Sequence, residues 1–144
     1  MDSILKEIEK SVASDKNFLR PSLSKNISKA LELNARHAAL LDLDKICIFE
    51  VGNVFTKDSE HTSLCVGIRR VKKVKGQTSN EDIRQLREHL LATLGVDVTT
   101  LCTVDDTGGI MRFNGKQIGV INNLDGIMEF NLDALIPHLK VPAY

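Results

Sequence analysis

The run KICIFEVGNVF at 45–55 constrains the fold more than any other stretch of the chain. Ile46, Ile48, Phe49, Val51, Val54 and Phe55 are β-branched or aromatic. Such residues suit a pleated, packed surface, so the run predicts a strand. Glu50 interrupts it, and a carboxylate there is costly unless it is paired or faces water. Gly52 follows, and a glycine inside a strand marks a bulge or a close backbone approach. The strand is expected to pack a core on one side and to carry something polar on the other. Backbone donors or Arg20 are the expected partners of Glu50.

Amphipathic patterns flank this strand. Leu19, Leu23, Ile27, Ala30, Leu31 and Asn34 recur at three and four residues and predict a helix. Pro21 suits its first turn, and Ser22 or Ser24 suits its cap. Ile4, Leu5, Ile8 and Val12 predict a shorter N-terminal helix over 1–12. Residues 56–61 read as a hairpin loop, and Ser63–Val71 as the returning strand, with Leu64, Val66 and Ile68 on its apolar face. Residues 78–95 predict a second helix with Ser79 as cap, Asp82 three residues on, and Gly95 as its end. His89 falls on its polar side. The remainder predicts strands at 98–104, 110–113, 117–121 and 128–132, with Asn114-Gly115 as a hairpin turn, and a helical turn at 134–139. This order predicts a single α+β domain over 1–144, a mainly antiparallel sheet covered by helices on one face.

Composition narrows the partners. The chain has 144 residues, with 19 basic and 19 acidic side chains, so no global field attracts nucleic acid or membrane. No apolar run is long enough for a membrane helix, and the charged N-terminus does not read as a signal peptide. Cys47, Cys65 and Cys102 are isolated in apolar runs, which reads as buried thiols in a reducing cytoplasm. With five Phe, one Tyr and no Trp, a base-stacking surface has little to build on.

The residues show no phosphate-binding glycine loop, zinc-protease motif or nucleophile elbow. Gly108-Gly109 and Asp105-Asp106 read as turns. His61 and Cys65, with Asp58 or Glu60 to orient the histidine, form a conceivable nucleophile pair, but Cys65 sits where a thiol stays protonated. The basic run 69–75 and the helix face Lys25, Lys29 and Arg36 read either as solvated surface or as an RNA or partner contact. No catalytic, cofactor-binding or metal-binding residue follows from these patterns.

The order of the segments carries a resemblance. NFLRPSL at 17–23, the helix after it, and IFEVGNVF at 48–55 resemble the "LRxSL" and "FEIGxVF" segments of the β subunit of bacterial phenylalanyl-tRNA synthetase. The 81–95 helix, RFNGKQIG at 112–119 and EFNLDAL at 129–135 resemble later segments in the same order. NNLDG at 122–126 stands where that family has a Gly-Glu-Leu-His-Pro turn.

The resemblance implies the catalytic-like module of that subunit, with a class II synthetase antiparallel fold, as part of a longer chain. It implies Leu19, Arg20, Phe49, Glu50 and Gly52 as signature or subunit-interface residues. It implies the synthetase α subunit as partner in a cytoplasmic heterotetramer, with tRNA, ATP and magnesium engaged by the holoenzyme. Class II sites grip ATP with arginine forks that a neutral residue cannot replace. Thr56 stands where the arginine of the second motif is expected, and the third motif is absent. The module is therefore expected to be inactive alone, and its α-facing surface to drive self-association. The alternative is a stand-alone RNA- or protein-binding module on the same fold.

Overall fold

A computed structural model describes residues 6–7, 18–72, 75–76, 78–95, 101–102, 108–113, 116–122 and 124–139. The strands are β1 (Lys6–Glu7), β2 (Phe18–Leu19), β3 (Lys45–Phe55), β4 (Glu60–Arg70), β5 (Leu101–Cys102), β6 (Gly108–Phe113), β7 (Lys116–Asn122) and β8 (Ile127–Asn131). The helices are α1 (Ser24–Ala38), α2 (Ser79–Thr93) and the single turn α3 (Leu132–Leu135), which runs into a 3-10 turn at Ile136–His138. Strands β3 to β8 form one sheet in the order β3-β4-β8-β7-β6-β5, and every pairing in it is antiparallel. The α+β class expected from the sequence is thus observed.

Helices cover the sheet on both faces, not one. The reason lies in β4, which is buried without interruption from Ser63 to Ile68. Leu64, Val66 and Ile68 join Ile83 of α2, Met128 and Phe130 of β8, and Ala134 and Leu135 of α3 in one core. The intervening Cys65 joins Leu23, Ile27 and Leu31 of the α1 region, with Val54 and Ile127, in a second core. Ser63, Cys65 and Gly67 are small, and this lets α1 come close. A side chain at Gly67 would run into Ile27 and Leu31. In the sequence Ser63 and Gly67 look like an outward face; with Cys65, buried as its apolar run implies, they form the floor of a second core.

Four local differences have physical causes. Leu19 belongs to β2, where it pairs with Lys6, so the α1 stripe begins at Leu23. Lys6 and Glu7, the described part of 1–12, form a strand paired with Phe18 and Leu19 and not the expected helix. Thr78 caps α2 by accepting the Glu81 N–H at 3.3 Å, which frees Asp82 to face Arg70. Gly108 and Gly109 continue β6 as a strand and pair with Asn122 and Ile121. Gly95 ends α2 in the left-handed region expected of it, with φ of 76°. The Asn114-Gly115 turn, Asp105-Asp106 and most of the 98–104 strand lie outside the described residues.

Candidate functional site

Two carboxylates on the sheet hold down the segment that leads into α1. Glu50 of β3 and Glu129 of β8 flank Cys65 of β4 in one cross-strand row. Arg20 Nη1 donates to Glu50 Oε1 at 2.6 Å, and the Arg20 carbonyl accepts the Phe55 N–H at 2.9 Å. The guanidinium lies over Gly52, where any Cβ would collide with it. Glu50 thus has the arginine partner expected for it, and Gly52 marks a close approach rather than a bulge. On the other side, Glu129 accepts the Ser22 hydroxyl at 2.7 Å and the Leu23 N–H at 2.8 Å. The first turn of α1 has no acidic residue of its own, so Glu129 supplies the negative charge that a helix N-terminus favours.

The five residues that the resemblance singles out therefore divide. Arg20, Glu50 and Gly52 meet in this clasp, and Leu19 lies beside it in β2. Phe49 faces the opposite side of the sheet, across from Val66, and is 70% exposed. Glu129 and Ser22 were not legible as members. The available signal was a lone carboxylate in the apolar run IMEFN, the same signal that singled out Glu50. Thr56 closes the β3–β4 turn, its N–H donating to the Ser59 carbonyl at 2.8 Å.

The edge of the sheet is a second feature. β3 is an outer strand, and residues along an antiparallel strand alternate between bonding their neighbour and pointing away. Phe55 points its N–H away from β4, toward Arg20. With unbroken register, Val51, Phe49 and Cys47 also turn their backbone groups off the edge. Phe49 and Val51 are exposed on that edge, whereas their β4 neighbours Val66 and Leu64 are buried. The α2–α3 layer packs on β4 and leaves Phe49 and Val51 uncovered.

Other proposed chemistry fares differently. His61 and Cys65 share a strand face but stand four residues apart, about 13 Å along an extended chain, beyond hydrogen-bond reach. Burial, reinforced by Glu129 and Glu50, pushes the Cys65 thiol up to about 12. A nucleophile pair is excluded on both counts. Two of the five basic residues in the 69–75 run are paired: Arg70 makes a two-pronged pair with Asp82 at 2.7 and 2.9 Å, and Lys72 pairs with Asp42 and Asp44. On α1, Arg36 pairs with Glu32 at 3.1 Å. Lys25 and Lys29 are exposed and have no ion pair among the described residues, and they line a cavity of about 850 Å3 between α1 and β7. Among the described residues no three His, Cys, Asp or Glu side chains are grouped as metal ligands, and no helix is long and apolar enough to cross a membrane.

A helix clasped to an antiparallel sheet by two carboxylates, beside an apolar strip at the sheet edge, defines an α+β packing module. Residues 5–126 match the family described as the phenylalanyl tRNA synthetase beta chain CLM domain, and the chain belongs to that family. No curated protein matches the chain.

Proposed function

We propose that the chain serves as a non-catalytic structural and interface module of the phenylalanine–tRNA ligase β subunit, on a class II synthetase-like, catalytic-like core. It packs against the α subunit of a cytoplasmic heterotetramer, and that holoenzyme attaches phenylalanine to tRNA with ATP and magnesium. Family membership over 5–126 supports the setting. The observation that carries the interface role is the uncovered strip of Phe49 and Val51, within the IFEVGNVF signature and on an edge strand. Such an edge is a ready template for another chain. Stable obligate interfaces bury more than about 2,000 Å2 and are rich in apolar residues. Thr56, occupied in a turn where an arginine is expected, supports the lack of catalysis.

The test is ATP–pyrophosphate exchange with phenylalanine, using the purified chain and the complete synthetase side by side. The chain alone gives no exchange while the complete enzyme does; exchange by the chain alone overturns the proposal. The same strip gives the isolated chain a concentration-dependent mass in sedimentation. A strictly monomeric chain at high concentration counts against an interface there.

A further inference from the structure

The strongest unassigned feature is the groove beside α1. α1 packs over β3, β4 and β8 and leaves β7 bare on the same face. Val120 of β7 shares that face, because it pairs with Glu129, whose carboxylate rises to the α1 N-terminus. Val120 is 48% exposed, and its neighbour across β6, Ile110, is 42% exposed. The cavity of about 850 Å3 that opens there lies within the range of small-ligand sites. Its floor is apolar at Val120, and its α1 wall carries Lys25, Ser28 and Lys29 on one helical stripe.

The charges of this cavity are unequally committed. Both Glu129 oxygens accept bonds from Ser22 and the Leu23 N–H, and the charge faces a helix N-terminus. Asp125 is held by the Asn122 amide at 2.8 Å. Lys25 and Lys29 close on neither carboxylate and have no ion pair among the described residues. Two uncommitted ammonium groups above an apolar floor complement an acid group joined to a flat or aliphatic body.

We infer that the groove between α1 and β7 binds a small organic anion, a carboxylate or phosphate head on an apolar body. Lys25, Lys29 and Ser28 receive the head, and Val120 receives the body. This inference stands apart from the subunit reading and requires no catalysis.

The test is a titration of the nitrogen-15-labelled full chain followed by amide NMR shifts. The probes are 2-naphthoate, 2-naphthyl phosphate and the neutral 2-naphthalenemethanol. The expected result is saturable shifts at Lys25, Lys29 and Val120, with at least one anion binding about tenfold tighter than the alcohol. The stronger of the two anions shows whether the head is a carboxylate or a phosphate. The double variant Lys25→Gln/Lys29→Gln, at exposed positions, keeps its thermal unfolding and loses the tenfold preference. Equal binding of anion and alcohol, shifts elsewhere on the chain, or an unaffected double variant overturns the inference. Displacement of 2-naphthoate by tRNA at low salt, with far tighter tRNA binding to the same amides, also overturns it and assigns the groove to nucleic acid.

Discussion

Glu129 closes the N-terminus of a helix whose first residues lie 106 positions earlier, taking the Leu23 N–H at 2.8 Å. This bond joins the last strand of the sheet to the first long helix. It is the reason the LRPSL segment turns where it does. Helix caps of this kind contribute about 1 kcal/mol, and bonds to a charged acceptor contribute somewhat more. Glu129→Ala is expected to lower stability by about 1–2 kcal/mol in urea unfolding. It should also raise amide exchange in the first turns of α1 more than in α2. Equal exchange in the two helices would count against the cap.

Gly52 tests the clasp from the other side. Its bare Cα accommodates the Arg20 guanidinium, so Gly52→Val forces that side chain off Glu50. The expected loss is about 1–3 kcal/mol, as for overpacking elsewhere. Arg20→Ala relieves the crowding, so in its background Gly52→Val should cost clearly less. A double-mutant cycle by denaturant unfolding measures the difference, and simple additivity would contradict the contact.

Arg70 and Asp82 set a pH dependence. The Arg70 hydrogen bonds hold the Asp82 carboxyl below its ordinary range, against the opposing effect of burial. A lowered folded value means that the pair stabilises above the unfolded pKa and that this stability is lost as pH falls through the folded one. Unfolding free energy should therefore drop as pH falls below about 4. Asp82→Asn should lower stability at neutral pH, because it removes the carboxylate that Arg70 grips with two hydrogen bonds, and should flatten that part of the acid limb. An unchanged acid limb in Asp82→Asn would show that another carboxylate is responsible.

The two thiols whose surroundings are described should differ in reactivity. Cys65 is fully buried and its thiol is pushed up to about 12, whereas Cys47 is exposed, though burial of its sulfur raises it too. Maleimide labelling of the folded chain at pH 8, read by peptide mass, should modify Cys47 and spare Cys65 until the chain unfolds. Ready labelling of Cys65 in the folded chain would reopen the thiol-enzyme reading.

Much of this was legible in the sequence, for physical reasons that differ by element. β3 spans 45–55 as expected, because Ile46, Ile48, Phe49, Val51, Val54 and Phe55 carry the strand signal across the interruption at Glu50 and Gly52. α2 is legible from the spacing of Ile83, Leu86, Leu90 and Leu94 and from its terminal Gly95. Glu50 announced a partner because an isolated carboxylate in a strand has to be satisfied. The two-sided sheet is hidden because Ser63 and Gly67 look like solvent-facing residues until a helix is placed on them. Leu19 fell into a helical stripe because its spacing to Leu23 fits one. Its neighbours Arg20 and Pro21 are fixed instead by contacts with β3, which local periodicity does not register. Glu129 carries no local cap signal because its helix is remote in sequence.

The interface role proposed for Phe49 is tested most directly by the affinity of this chain for the synthetase α subunit, measured by sedimentation for the wild type and for Phe49→Asp. Phe49 is 70% exposed, so the substitution leaves the fold intact, and unchanged thermal unfolding checks this. The expected result is a stable complex with the wild type and at least about tenfold weaker binding for Phe49→Asp, because a buried unpaired charge at an apolar contact costs more than 1.4 kcal/mol. Failure of the wild type to bind the α subunit, or equal binding by the two chains, would contradict it.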